Sequence, residues 1–416
     1  MLAVILAATI SVCSLAASPG FSNFVYSDAY KTGQFHDVKE ADWFSRYVQY
    51  AYNYGFFRGK SDTEFDPGGL LSLGEAVTLA ARLNCIYLTG SADFPESIPY
   101  YAVYVDYALS NGIIDSHLDY SAPATRARFA QLVYNALPAH AFPVINDIPD
   151  YGICDVVPET ESHDAIYALY RAGILSGSDR YGTFLPRSNI TRAEACAIMI
   201  RLAAPAYRMS MKLPSGIPAE VIFTRSVNAV IMLETFDSEG VSIRTGSGFF
   251  ISETGYAVTN LHVIENAASA TVTLYNGDVY PLRGVHAISE EFNLIIVSIE
   301  SDRQDWNYLN LADSDLIESG NDVYALGSPR ALINTITDGI VSNKSRDVGG
   351  ESLIQFTAPI SFGSGGSAVL NTLGQVIGVA SSSFSYGQNL NLAVPINHLK
   401  NMEPGELMTL EELLSR

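Results

Sequence analysis

Residues 245–264 read TGSGFFISETGYAVTNLHVI. Two short runs of Phe, Ile, Val and Thr, Gly248–Ser252 and Tyr256–Thr259, flank Gly255, and an imidazole, His262, follows the second. Working outward, similar runs recur at Ala229–Thr235, Ala270–Tyr275, Leu294–Ile299, Asp322–Leu326, Gln375–Ala380 and Leu390–Val394, with Gly, Asn and Asp between them. Many short strands at this spacing predict an all-β sandwich or a pair of barrels. Upstream, AAPAYRMSMKLPSG (203–216) reads as a linker, rich in Pro and Gly at its ends.

Before that linker the pattern is helical and repeats. The segments Tyr50-Ala51-x-x-x-Gly55-Phe56, Tyr107-Ala108-x-x-x-Gly112-Ile113 and Ala168-x-x-x-x-Gly173-Ile174 recur 57 and 61 residues apart. Each predicts a helix end with a capping glycine, because only Gly takes the left-handed conformation cheaply. A turn-rich loop follows each: GKSDTEFDPGG (59–69), DSHLDYSAPA (115–124) and GSDRYGTFLPRSN (177–189). A second helix then opens at Ser72, Thr125 or Thr191, and Thr191 with Glu194 has the spacing of a capping box. Phe35-His36-Asp37-Val38 and Trp43 precede the first helix, with degenerate equivalents near Asp93 and Asp147.

Composition bounds the function. The 416 residues are 48% hydrophobic, with 24 Tyr and 19 Phe, which excludes a disordered chain. Lys and Arg number 24 against 44 Asp and Glu, a net charge of −20 that lies mostly in the second half. Such a chain is no general nucleic-acid binder, since phosphate contacts need a basic face. Leu2 to Leu15 form an apolar run followed by Ala16, Ala17 and Ser18, too short to span a bilayer and shaped like the hydrophobic core of a secretion signal cleaved after Ala16. Met1 runs straight into it without a basic segment, which points to an upstream start or an atypical leader. Val12 before Cys13 argues against a lipoprotein site. Export is therefore expected, with no transmembrane segment after cleavage. Cys85, Cys154 and Cys196 then remain, too few for a disulfide framework and without zinc or redox spacing. Buried thiols are the simpler reading, and one disulfide stays open. His117, His140, His163 and His286 show no ligand spacing, so no metal and no cofactor are expected.

Two resemblances follow from these residues. The helix–loop–helix unit, with its F-x-D-V, W, G and T-R-A-E elements, resembles the S-layer homology (SLH) domain over roughly residues 30–205. That family anchors exported proteins to cell-wall polysaccharide, usually through three tandem copies, here bounded as 28–90, 91–143 and 144–205. The resemblance implies an anionic secondary wall polymer as partner, with Trp43, Arg126 and Arg192 as its binding residues. An arginine fork at a helix N-terminus suits a carboxylate or phosphate. The tetrad departs from the pattern in two copies, reading Ser72-Leu73-Gly74-Glu75 and Thr125-Arg126-Ala127-Arg128. Stacking of the repeats as a plain spacer is the alternative.

The second resemblance is to trypsin-fold serine proteases of the HtrA (Deg) type. It rests on the opening stretch, on Val323–Pro329, on Thr337-Asp338-Gly339-Ile340-Val341-Ser342 and on Ala358-Pro359-Ile360-Ser361-x-Gly363, and covers about 216–400. The expected architecture is therefore multidomain: a signal (1–18), an α-helical SLH repeat domain, a linker (206–216), an all-β double-barrel trypsin-like domain (217–400) and a C-terminal acidic helix (401–416). The PDZ domain that often follows in this family has no counterpart in those last residues.

The resemblance places His262 at the family's general-base position. A serine nucleophile needs an imidazole to take its proton and a group that holds that imidazole in the right tautomer. Asn293, in Glu290–Val297 (EEFNLIIV), stands where the orienting acid belongs; Glu290 or Glu291 could replace it only through a loop shift. Ser361–Asn371 (SFGSGGSAVLN) fits the family pattern without a gap, which puts Gly365 at the nucleophile and leaves Gly363 and Gly365 N–H groups to outline an oxyanion hole. A register slipped by one makes Ser364 the nucleophile but needs a deletion and an insertion, and would reverse the faces of the following strand. Two functions follow: a peptide- or protein-binding domain with little or no cleavage, or a wall-bound serine endopeptidase using Ser364 and His262. Whether the chain is an enzyme stays open at this point.

Overall fold

A computed structural model describes residues 18–328, 334–381 and 390–415. The chain forms two compact units. The first comprises residues up to 148 with 158–178 and 184–212, and the second comprises 149–157, 179–183 and 213 onward. The expected signal (1–18) lies outside the described residues except for Ser18.

The first unit is built from three helix pairs: α1 (Ser45–Asn53) with α2 (Leu73–Thr89), α3 (Ala102–Ser110) with α4 (Arg126–Asn135), and α5 (His163–Arg171) with α6 (Arg192–Ala203). The first helix of each pair runs into Gly55, Gly112 or Gly173, with φ of 70°, 67° and 69°. The second opens on a hydroxyl N-cap: Ser72, Thr125 and Thr191 accept from the N–H groups of Glu75, Arg128 and Glu194. The three loops between paired helices meet at a ring. Leu71 N–H donates to Ile190 O, Ile190 N–H to Ala124 O, and Ala124 N–H to Leu71 O, at 3.1, 3.0 and 2.8 Å. A second ring lies beside it: Leu73 N–H to Ala122 O, Arg126 N–H to Ser188 O and Arg192 N–H to Gly69 O. The second set satisfies the first N–H group of each second helix, which has no intrahelical partner, and both sets relate the three pairs by an approximate threefold.

The second unit holds two closed six-stranded barrels. Strands β1 (Val230–Phe236), β2 (Ser242–Phe250), β3 (Tyr256–Asn260), β4 (Ser269–Thr273), β5 (Val279–Ser289) and β6 (Leu294–Ile299) form the first, in the order β1-β2-β3-β6-β5-β4. Strands β7 (Asp322–Gly327), β8 (Thr335–Val348), β9 (Glu351–Phe356), β10 (Ala368–Leu370), β11 (Val376–Ser381) and β12 (Asn391–Pro395) repeat that order in the second. Phe250 and Trp306 stack at 4.9 Å in the first core, and Phe356 lies fully buried in the second. A further apolar cluster, including Phe249, Val258, Leu326 and Val379, lies between the barrels. The C-terminal segment differs from the expected helix over 401–416: only Leu410–Leu414 is helical, capped by Thr409, while Met408 pairs with Val285 of β5. Cys85, Cys154 and Cys196 are free thiols.

Candidate functional site

Strand β3 delivers the imidazole. It ends at Asn260, and a short turn of helix places His262 at the mouth between the barrels. The β3–β6 pairing sets Asn260 opposite Leu294, so the residue before β6, Asn293, lies beside His262. Asn293 adopts φ of 51°, a left-handed conformation that Asn tolerates better than most side chains. Its Oδ1 accepts from the His262 backbone N–H at 3.0 Å, and its Nδ2 lies 2.8 Å from His262 Nδ1. A backbone N–H can only donate, so Oδ1 is fixed against it and the amide NH2 faces the ring. Nδ1 therefore accepts, and the hydrogen of the neutral ring sits on Nε2. Burial pushes the His262 pKa below the ordinary 6.5, and the positive charge of Arg244 adds to this. The ring is neutral at pH 7. Glu290 and Glu291 are exposed in the turn before Asn293.

Gly365 comes up against the other ring nitrogen. A Cβ placed on it would lie 3.2 Å from His262 Nε2 and 3.1 Å from Asn260 Oδ1. A side chain at 365 would thus emerge directly onto the imidazole. Ser364, one residue earlier, is buried, and its Oγ accepts from Ser361 N–H at 3.1 Å inside its own loop. Gly363 and Gly366 have φ of 85° and 88°. Ser247 of β2 ties this loop down: its N–H donates to Gly365 O, its hydroxyl donates to Gly363 O and accepts from Ser328 N–H, each at 2.8 Å.

Asn260 is fully buried, with Nδ2 donating to Asn293 O at 3.2 Å, so Oδ1 is the atom turned toward Gly365. Among the described residues that Oδ1 has no hydrogen-bond partner. A buried acceptor left so costs about 1–3 kcal/mol. The arrangement keeps the framework of acyl-transfer chemistry, with a glycine at 365 facing the ring and a tautomer that puts hydrogen on Nε2.

In the helical unit, Trp43 and Arg126 line one groove of about 470 Å³, together with Arg201, Glu194 and Ser176. Trp43 is 60% exposed. Arg126 is largely buried: Nε donates to Phe184 O at 2.7 Å and NH1 pairs with Glu194. Arg192 lies outside that groove and is equally buried, donating through Nε to Phe65 O and through NH2 to Arg58 O, at 3.0 and 2.7 Å. Both arginines are thus latches between repeats as well as cations.

Three comparisons bear on the whole. A trypsin-like peptidase domain model matches residues 246–379, and the S-layer homology domain model matches 34–77 and 155–196. The chain joins S-layer homology domains to a trypsin-like peptidase domain. The trypsin-like part is 34% identical over 155 residues to a "probable periplasmic serine endoprotease DegP-like" of Rhizobium meliloti (36% of this chain, 30% of the relative). It is 37% identical over 169 residues to the serine protease HTRA4 of Homo sapiens (38% and 34%). A solved HtrA-type protease with a tripeptide aligns at a TM-score of 0.41 and 28% identity, over 44% of this chain and 62% of that one. The chain thus spans about a third of the length of the curated relatives it matches. Between the two matched S-layer homology segments, α3 and α4 occupy the remaining third of the ring.

Both units also use residues that sequence reasoning passed over. Asn260 sits two places before His262 in the opening stretch, where its side chain reads as ordinary strand-end polarity. Ser247 hides in a Gly-Ser-Gly run that signals only a close backbone approach. Arg201, whose NH2 donates to the Tyr47 hydroxyl at 3.2 Å, carries no motif at all. Among the described residues no His, Cys, Asp and Glu group could hold a metal ion, and no helix is long and apolar enough to cross a membrane.

Proposed function

We propose that the protein is exported, held at the cell wall by its S-layer homology domains, and presents a trypsin-like domain that binds peptide or protein with little or no cleavage. The observation that carries this is Gly365 against His262 Nε2, with the Asn293 amide on Nδ1. In these roles His262 is a base without a proton to take, Asn293 an orienter that selects the wrong tautomer, and Gly363 and Gly365 the outline of an oxyanion hole. Recognition of an extended segment needs no nucleophile, since backbone pairing and pockets suffice. On the wall side, the groove that gathers Trp43 and Arg126 suits an anionic polysaccharide, with an aromatic face for a sugar ring and a fork for its acid group. Arg192 would serve the same polymer in a second place, between repeats.

An active-site-directed fluorophosphonate on the full chain tests this reading. No covalent labelling and no digestion of casein are expected. Labelling that disappears in Ser364→Ala would instead establish a working endopeptidase built on Ser364 and His262.

A further inference from the structure

Arg201 of α6 lines the groove that holds Trp43 and Arg126, yet it is only 7% exposed. Its NH1 donates to Ile174 O at 2.9 Å and to the Ser176 hydroxyl at 3.4 Å, and its NH2 donates to the Tyr47 hydroxyl. Its Nε has no partner among the described residues. Every acceptor it meets is neutral, and among the described residues no carboxylate pairs with it. Glu194, the one acid in the lining, is already spent. Its Oε1 pairs with Arg126, and its Oε2 takes the Thr191 N–H and hydroxyl, each at 2.9 Å. The lining therefore carries two guanidinium charges against one carboxylate, in a chain whose net charge is −20. Buried charges are paired or they cost stability, so one negative charge is missing here.

The fold itself does not ask for that charge. Arg201 stands ten residues after the N-cap Thr191, and its bond to Ile174 O ties α6 to the residue after Gly173. In α4 a neutral group does the same work. Asn135, ten residues after Thr125, donates Nδ2 to Ile113 O, the residue after Gly112, at 3.1 Å. At that corner of the ring the other groove groups are lost as well. Glu161 takes the place of Trp43, twelve residues before the capping glycine, and pairs with Arg128, while Leu73 takes the place of Arg126. By the same counts the remaining corner keeps all three, as Tyr100, Arg192 and Arg82, and Arg82 NH2 donates to Gly55 O at 3.1 Å. An exposed aromatic, a tetrad arginine and a cation at this place on the second helix are thus present together or absent together. Groups that only held the repeats in place would have no reason to go as a set.

We propose that Arg201 is the anion-binding residue of this groove, holding an oxyanion, carboxylate or phosphate, of the wall polymer whose sugar ring rests on Trp43. This rests on the wall-anchoring reading given above. Arg126 spends its charge on Glu194 and shapes the groove, whereas the Arg201 charge is left for the ligand. A guanidinium already removed from water gives a charge-assisted bond its full strength.

The test is co-sedimentation of the full chain with purified cell walls at rising salt, for the native chain, Arg201→Asn and Arg201→Lys. Arg201→Asn copies the neutral solution of α4, and circular dichroism checks that it folds. It should weaken wall binding about tenfold or more, the scale of one charge-assisted hydrogen bond, and flatten the salt dependence. Arg201→Lys keeps the charge and should bind between the other two. Walls whose carboxylates are amidated with carbodiimide separate the sources: lost binding of the native chain marks a carboxylate, retained binding a phosphate. Arg201→Asn binding as well as the native chain would overturn the inference. So would Arg201→Lys binding no better than Arg201→Asn, because the charge would then be irrelevant. A native chain that does not sediment with walls would overturn the anchoring reading itself, and this inference with it.

Discussion

Asn293 holds His262 at two points, taking the backbone N–H on Oδ1 at 3.0 Å and giving a hydrogen to ring Nδ1 at 2.8 Å. This double grip keeps the imidazole where a general base belongs and denies it the tautomer a general base needs.

On the proposed non-cleaving reading, activity takes two changes. Gly365→Ser alone supplies a hydroxyl beside an Nε2 that already bears hydrogen, and should stay inert toward casein. Gly365→Ser with Asn293→Asp lets Nδ1 donate to the carboxylate and frees Nε2 to accept. The double variant should exceed the serine variant by about 10⁴ in kcat, the loss seen in another serine protease when its orienting Asp becomes Asn. The Cβ at 3.1 and 3.2 Å from Asn260 and His262 requires both to give slightly, so fluorophosphonate labelling is the more sensitive readout. A double variant as inert as the native chain would show that more than these two groups separates this cleft from an enzyme.

The same grip has a pH signature. Unfolded, the imidazole titrates at its ordinary value near 6.5, and folded it titrates lower. Between those values the unfolded chain binds more protons, so acid favours unfolding. The His262 contribution to stability is fully present above the unfolded value and is lost as pH falls through the folded one. Ring-resonance titration by NMR should place His262 below 6.5. In Asn293→Asp the ring gains an anionic partner and the value should rise. A native titration above 6.5 would mean that Asn293 turns its oxygen, and not its nitrogen, to the ring.

Much of this architecture was readable in the chain, for identifiable reasons. The buried strands β3, β6, β7 and β11 are continuous apolar runs, and their positions stand out in the sequence. Strand β5 hides because Pro281, Arg283 and Gly284 break its pattern, with register shifts where it bends along β6. The long β8 hides because Thr335–Val348 is polar and largely exposed, so it has no alternation to read. At the site, the place of Gly365 follows from the ungapped match of Ser361–Asn371 to the pattern of the family it resembles. The orientation of the Asn293 amide was not legible, because it is decided by which backbone N–H lies nearest after β3 and β6 pair. Likewise the two irregular tetrads look like independent decay in sequence, yet the ring shows how they are related.

Around that ring, the arginine of one tetrad reaches the glutamate of the next: Arg126 pairs with Glu194, and Arg192 lies 3.9 Å from Glu75. The third corner should join position 73 to position 128, and there Leu73 replaces the arginine while Arg128 replaces the glutamate. Both halves of one ion pair are missing together. Reinstalling them as Leu73→Arg with Arg128→Glu should show a favourable coupling of up to about 1 kcal/mol in a double-mutant cycle. Arg128→Glu alone also loses its 2.9 Å bridge to Glu161, which the cycle removes from the coupling. Zero coupling would mean that the third corner is spaced too widely for a pair.

Removing a latch that exists should be costlier. Arg126→Ala leaves Phe184 O and Glu194 without their shared donor inside the unit. Breaking such a buried pair costs about 3 kcal/mol, less whatever solvent recovers at the partly exposed Glu194. Urea unfolding followed by circular dichroism reads it. A change below about 0.5 kcal/mol, the scale of ordinary surface substitutions, would remove the latch from the account of how the repeats hold together.

Trp43 separates anchoring from folding. It is 60% exposed at the groove that Arg126 also lines, so its removal takes little from the core. Trp43→Ala should leave the urea midpoint within about 0.5 kcal/mol of the native value and yet weaken co-sedimentation with purified cell walls by about tenfold, as for an anchoring aromatic. Arg126→Ala cannot make this distinction, because it loosens the repeats and the groove at once. If walls retain Trp43→Ala as well as the native chain, the polymer does not use this groove. The burial of Arg192 against the Phe65 and Arg58 carbonyls would then be a structural role alone.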